Sequence, residues 1–279
     1  MNQIHLTIYI LLFLIFVYLS YKQYHYKKIE EEANLKIKEY NEKSKNLELQ
    51  KTNFVSIASH QLRGPLTVIQ GYVSMILEGD YGKISDEIKE SLEKVNSSCD
   101  TLSFLINDYL NVSKIDKDEL GYIIEDVNIN RLINKVFCEF EPVAKKNHLS
   151  LLLDSRIDSN IFIKADLNKM HQVLSSLIDN AIKYTPKGNI KISANQSDDF
   201  LFIKIIDTGI GIKSDNLKNI FTKFQRSKEA VDLNVTGTGL GLFVSKHFIE
   251  SQDGEIWAES DGLNKGSSFI IKFPILKKI

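Results

Sequence analysis

Three short stretches in the C-terminal half carry residue types that can do chemistry. Asp207 closes the run LFIKII and opens DTGIGI. A carboxylate at the end of a buried strand is expensive unless something pairs with it. A ligand is one partner. A plain turn is the other reading, since Asp-Thr-Gly is good turn chemistry. Gly209 and Gly211 permit positive φ and close approach of backbone to a ligand. The second stretch is TGTGLGL, Thr236 to Leu242, followed by an apolar helix. Backbone N–H groups at a helix N-terminus favour anions. Gly237, Gly239 and Gly241, with Thr238 and Leu240 between them, match neither a dinucleotide fingerprint nor a Walker A loop. By itself this string reads equally well as an ordinary loop. The third stretch is SSLIDNAIKYTPKG. Ser176, Asn180, Lys183 and Tyr184 recur at i+4, i+3 and i+4 and share a helix face. An amide can coordinate Mg²⁺ and a lysine can meet phosphate oxygens, although alone this is an ordinary amphipathic helix.

The elements around these stretches follow from periodicity. Strand-like runs cover 190–194, 200–206, 255–258 and 268–273, and helical patterns cover about 129–146, 166–184 and 239–251. That mixture suggests a two-layer α/β sandwich. Upstream, Ile88, Leu92, Val95, Cys99, Leu102, Ile106 and Tyr109 alternate by four and three, and Cys99 reads as core filler. An earlier stripe runs through Ala33, Ile37, Tyr40, Ser44, Leu47, Lys51, Phe54, Ala58, Leu62, Pro65, Ile69, Tyr72 and Ile76. Its first part favours a coiled coil. His60 falls on the opposite side of that helix and is expected to face solvent. The break EGDYGKIS, residues 78–85, with Ser85 as N-cap, makes the two helices an antiparallel hairpin. A lone hairpin cannot bury a full apolar seam, and a dimeric four-helix bundle can.

Ile4 to Tyr21 contains no Asp, Glu, Lys or Arg. Eighteen helical residues reach roughly 27 Å, close to a bilayer core. Tyr18, Tyr21, Tyr24 and Tyr26 suit the interface, and Lys22, Lys27 and Lys28 place the C-terminal bulk of the chain in the cytoplasm. A cleaved signal peptide wants basic residues before the run and a small-residue cleavage site, and neither is seen. With three residues before the run, no extracytoplasmic sensor domain is expected on this chain. Lys and Arg number 35 against 36 Asp and Glu, so no basic excess points to nucleic acid. Cys99 and Cys138 stand far apart, outside any zinc or disulfide pattern.

The order of these stretches resembles the bacterial sensor histidine kinase family. FVSIASHQLRGPL (54–66) is similar to its phosphoacceptor box, SLIDNAIKYTP to its Asn box, DTGIGI and GTGLGL to its two Gly boxes, and IFTKFQR (220–226) to its Phe box. The resemblance implies an α + α/β chain. It has a transmembrane helix (1–21), a coiled-coil linker (22–52), a dimerisation and phosphotransfer hairpin (53–117) and a sandwich ATP-binding domain shared with gyrase-type ATPases (122–279). It implies His60 as phosphoacceptor, Asn180 as Mg²⁺ ligand, Lys183 near phosphate and Tyr184 against the nucleotide. Asp207 would accept the adenine amino group, and Gly209, Gly211 and Ser268 would lie near the base. Gly237, Thr238, Gly239, Leu240 and Gly241 would form the phosphate hinge of a lid over 225–236. It further implies ATP as substrate, a homodimer, and a response regulator aspartate as phosphoryl acceptor.

Two departures bear on mechanism. The family places an acidic general base after the acceptor His, where this chain has Gln61. An amide cannot take a proton near neutral pH, although it can orient the ring, so a slower autokinase is expected. Gly64 replaces a Thr or Asn linked in the family to dephosphorylation of the partner, which predicts weak or absent phosphatase activity. A catalytically weakened ATP-binding scaffold is the alternative reading. An ATP hydrolase is a third, disfavoured because Ser176 stands where the wider fold places a hydrolytic Glu.

Overall fold

The computed structural model describes residues 2–155, 161–225 and 237–276, apart from the side chains of 2–12, 14, 15, 29, 33, 48, 49, 51–56, 60 and 155. The chain divides into two compact units, Met1–Ile57 and Ala58–Ile279. Helix α1 is assigned over Asn2–Glu78 and passes through Pro65. In the first unit it is the sole element, and Phe13, Phe16, Tyr18, Tyr21, Tyr24, Ile37, Tyr40 and Leu47 are exposed along it. Much of the expected membrane run lies outside the described side chains. Among the described residues, no helix is long and apolar enough to cross a membrane.

The second unit begins with the hairpin. Helix α2 (Asp86–Asp116) opens where expected, with Ser85 Oγ accepting from the Ile88 N–H. Arg63 donates to Asn107 Oδ1 at 2.6 Å and Gln70 to Asp100 Oδ1 at 2.8 Å. The later α1 residue meets the earlier α2 residue, so the helices are antiparallel. Leu66, Cys99 and Ile106 form their small shared core. The remaining stripe is uncovered: Leu62, Ile69 and Tyr72 on α1 and Ile88, Val95 and Leu102 on α2 are all at least 41% exposed.

The α/β part holds β1 (Glu125–Asn128), α3 (Ile129–Lys146), β2 (Ser150–Ser155), β3 (Phe162–Ala165), α4 (Leu167–Tyr184), β4 (Asn189–Ser197), β5 (Phe200–Asp207), the short α5 (Ser214–Leu217), α6 (Gly241–Glu250), β6 (Glu255–Glu259) and β7 (Ser267–Pro274). The sheet order is β2-β4-β5-β7-β6, parallel only between β2 and β4, and β1 pairs with β3 in a separate ribbon. Helices α3, α4 and α6 cover one face, giving the expected two layers. The strand β5 shows why. Leu201, Ile203 and Ile205 point to the helices and are fully buried, while Phe202, Lys204 and Ile206 alternate onto the open face. Each such buried side chain contributes about 1.5–3 kcal/mol. β1, β2 and β3 were not anticipated from periodicity.

One acid ties the hairpin's exit to this layer. Asp166 caps α4, its Oδ1 accepting from Asn168 and Lys169 N–H, and its Oδ2 accepts from the Ile123 N–H at 2.9 Å. The segment leaving α2 is thereby fastened beside the first turn of α4.

Candidate functional site

The alternation that buries Leu201, Ile203 and Ile205 also turns Asp207 inward at the strand's end, where it is 4% exposed. Its Oδ1 accepts from Gly209 N–H (2.8 Å) and Ser267 N–H (3.2 Å), and its Oδ2 accepts from the Ser267 hydroxyl. Burial raises its pKa above the ordinary carboxylate value, and the Ser267 hydroxyl and the two backbone donors partly oppose this. Asp207 lies on the wall of a cleft of about 670 Å³ with Asn180, Tyr184, Ile210, Gly211, Ile212, Leu242, Ser267 and Phe269. An acidic acceptor among apolar walls suits a flat, hydrogen-bonding ring.

Here the expectation for Ser268 is corrected. Ser267, not Ser268, faces Asp207, because β7 pairs Asp207 with Ser267 and Ile206 with Ser268. Strand side chains alternate, so a one-residue difference moves the group to the other face. Ile270 is buried as fully as Ile271, so alternation along β7 alone does not choose between the two serines.

The two glycines of DTGIGI serve the protein's own backbone. A Cβ on Gly209 would run into the Tyr184 carbonyl, and one on Gly211 into the Gly262 carbonyl. Only Gly211 has positive φ (67°). The loop is knitted in place: Ile210 N–H donates to the Tyr184 carbonyl (3.1 Å), and Ile212 N–H to Ser260 Oγ (3.0 Å). Gly209→Ala is expected to push the loop off α4 and lose the Ile210 bond. The cost is about 3 kcal/mol, read as a fall in Tm of roughly 6–12 °C in thermal unfolding.

A second cleft of about 620 Å³ adjoins the first, with Asn180, Tyr184, Ile220, Gln225, Leu242 and Phe269 lining both. Ser176, Asn180, Lys183 and Tyr184 all border it, as their shared helix face requires. Lys183 pairs with Asp179 one turn back, and its ammonium sits 5.7 Å from the Phe104 ring centre. This ion pair is about a third exposed and worth no more than about 1 kcal/mol, so an anion can compete for the lysine. Across from α4 stands the glycine turn. Gly237, Thr238, Gly239 and Gly241 border the cleft, and Leu240 N–H donates to Thr238 Oγ1 at 3.2 Å. The Leu240 side chain is fully buried in the core. Leu240 is not part of the cleft's lining and joins the turn through its backbone N–H. Ser176 Oγ lies where a Cβ on Gly241 would be crowded at 2.9 Å, so the turn seats directly on α4.

Sequence reasoning missed the contribution of α2. Asp108 is 2% exposed on this cleft, and its Oδ2 accepts from Thr238 Oγ1 at 3.4 Å. Burial pushes its pKa up to about 7; the Thr238 hydroxyl and Lys183 pull it down and Asp179 adds to the rise. An aspartate between Phe104 and Val112 on one helical stripe was the available signal.

His60 stands on α1, and its side chain lies outside the described residues, as do residues 226–236 of the expected lid (225–236). Gln61, next to it, is exposed, and a Cβ on Gly64 would meet open space.

Fold and clefts together define a two-layer α/β domain with two adjoining clefts, attached to a two-helix hairpin. Residues 165–277 match the family "Histidine kinase-, DNA gyrase B-, and HSP90-like ATPase", and residues 50–118 match "His Kinase A (phospho-acceptor) domain". Sensor protein SrrB of Staphylococcus aureus is 38% identical over 232 residues, covering 82% of this chain and 39% of that protein. The chain thus spans about two fifths of the length of the curated relatives it matches. The solved Acinetobacter baumannii histidine kinase AdeS is 29% identical, with 77% of this chain and 97% of that one covered and a TM-score of 0.53. Full-length ShkA in complex with AMPPNP shares the fold, with a TM-score of 0.63 at 23% identity over 80% of this chain and 46% of that one. The chain belongs to the two-component sensor histidine kinases.

Proposed function

We propose that this chain binds ATP in the joined clefts and phosphorylates its own His60, and that the phosphoryl group then passes to an aspartate of a response regulator. The observation that carries this is the pairing of a buried acceptor, Asp207, at one end of the clefts with the glycine turn and Lys183 at the other. Asp207 would take the adenine amino group, and Tyr184 would lie along the nucleotide. Lys183 and the N–H groups of Gly237 to Gly241 would take phosphate oxygens.

Among the described residues, no group of three or more His, Cys, Asp or Glu forms a metal cage. The single amide of Asn180 fits Mg²⁺, which takes few protein ligands and completes its shell with phosphate and water oxygens. When bound, the ion would neutralise charge on the transferring phosphate.

The unprotonated ring nitrogen of His60 forms the new N–P bond. The bond from the γ-phosphorus to the bridging oxygen breaks, and its electron pair leaves with ADP. The chain's part is to hold donor and ring in line, since positioning supplies most of the catalysis in phosphoryl transfer.

The chain works as a homodimer whose four-helix bundle covers the apolar stripe of Leu62, Ile69, Tyr72, Ile88, Val95 and Leu102 that one hairpin leaves exposed. Residues 22–52 form a coiled-coil linker and 53–117 the phosphotransfer hairpin, succeeded by the ATP-binding domain over 122–279. The run from Ile4 to Tyr21, without Asp, Glu, Lys or Arg, anchors the protein in the cell membrane, with the C-terminal domains cytoplasmic.

Incubating the purified chain with γ-labelled ATP tests the reading. Label is expected on His60, stable to base and lost in acid, and absent from His60→Ala. Stable label elsewhere, or label that survives His60→Ala, sinks it.

A further inference from the structure

Helix α2 turns one stripe toward the ATP-binding domain: Phe104, Asp108, Val112 and Asp116, each four residues from the last. Phe104 lies beneath the Lys183 ammonium, Val112 joins the main core, and Asp116 pairs with Lys223. Two aromatic rings, Tyr109 and Phe224, meet beside them at 6.5 Å. Three of these contacts are ordinary packing. Asp108 is different, because it is a buried acid set against the glycine turn.

Its carboxyl takes the Thr238 hydroxyl and stands beside the first residue of α6, with Oδ2 3.8 Å from where a Cβ on Gly241 would lie. Lys183 and Asp179 face it from α4. The nucleotide reading assigns the phosphates to this same glycine turn and this same lysine. In its ionised form the Asp108 carboxylate repels a phosphate brought to that turn.

We propose that Asp108 is a built-in competitor for the phosphate end of the nucleotide: docked α2 holds its carboxyl on Thr238 and the first turn of α6, and a bound di- or triphosphate displaces it. This rests on the nucleotide lying in the joined clefts. The consequence is a two-way coupling. Phosphates loosen α2 from the ATP-binding domain, and docking of α2 weakens phosphate binding by the same factor. Because α2 also packs on α1, which bears His60, the domain is released from the hairpin when it is loaded.

The test titrates the full chain in detergent micelles with adenosine, ADP and a non-hydrolysable ATP analogue, in wild type, Asp108→Ala and Asp108→Asn. The alanine variant is expected to bind ADP and the analogue about tenfold more tightly and adenosine within about twofold of wild type. The asparagine variant, which keeps the shape and loses the charge, moves the same way by less. Thermal unfolding checks each fold, and asparagine carries the test where alanine does not fold. A wild type that binds all three, with a preference for phosphates that neither substitution raises, overturns this inference alone. A wild type that binds none of them overturns the nucleotide reading and takes this inference with it.

Discussion

Asp207→Ala is expected to lower ATP affinity by roughly a hundredfold and to abolish labelling at working ATP concentrations. The carboxylate is 4% exposed and already serves three donors: the Gly209 and Ser267 N–H groups and the Ser267 hydroxyl. Alanine deletes the acceptor for the base and strands those donors in a dry wall, each costing about 1–3 kcal/mol if unsatisfied. Two effects therefore arrive together, and they can be separated. Asp207→Asn keeps one acceptor oxygen and nearly the same shape, and the Ser267 hydroxyl can rotate to accept from the amide. Asparagine should hold the Tm close to wild type while still losing most of the ATP affinity, because the amide nitrogen cannot accept from an amino group. Calorimetric titration with ATP beside thermal unfolding makes the distinction. An Asp207→Asn protein that binds ATP within about twofold of wild type would remove the carboxylate from base recognition.

Gln61→Glu should speed autophosphorylation by about 10²-fold or more. A positioned general base typically contributes about 10²–10⁴-fold, and an amide supplies none of it. The substitution is well suited to the site. Gln61 is exposed, so a glutamate there brings no buried charge and no desolvation penalty. It also directly succeeds His60 on α1, where the family's acidic residue stands. The measurement is the initial rate of label incorporation at saturating ATP, with Gln61→Ala as the control for bulk. A glutamate no faster than glutamine would mean that proton removal is not what limits this kinase, and that positioning or nucleotide binding does.

Much of this is legible in the sequence, and the reason is locality. The hairpin was readable because helical faces repeat every three to four residues, so Cys99 and Ile106 announced their burial. The inward turn of Asp207 follows from the two-residue repeat of a strand whose core positions are Leu201, Ile203 and Ile205. The Ser85 cap and the shared face of Asn180 and Lys183 are likewise properties of a few neighbouring residues.

What only the tertiary structure decided lies between segments far apart in the chain. β1, β2 and β3 are four to six residues long, and two of them form a ribbon of their own. Their strand character is decided by pairing with segments far along the chain, β1 with β3 and β2 with β4. Ser267 replaced Ser268 because strand register is settled by the partner strand. DTGIGI suggests glycines making room for a ligand, and the packing adds a second need: Gly209 and Gly211 also make room for the carbonyls of Tyr184 and Gly262. Asp108 and Thr238 are 130 residues apart, and no local pattern brings an acid on a helical stripe to a glycine turn. Short-range periodicity identifies elements and their buried faces, whereas only the packing of those faces decides which polar groups meet.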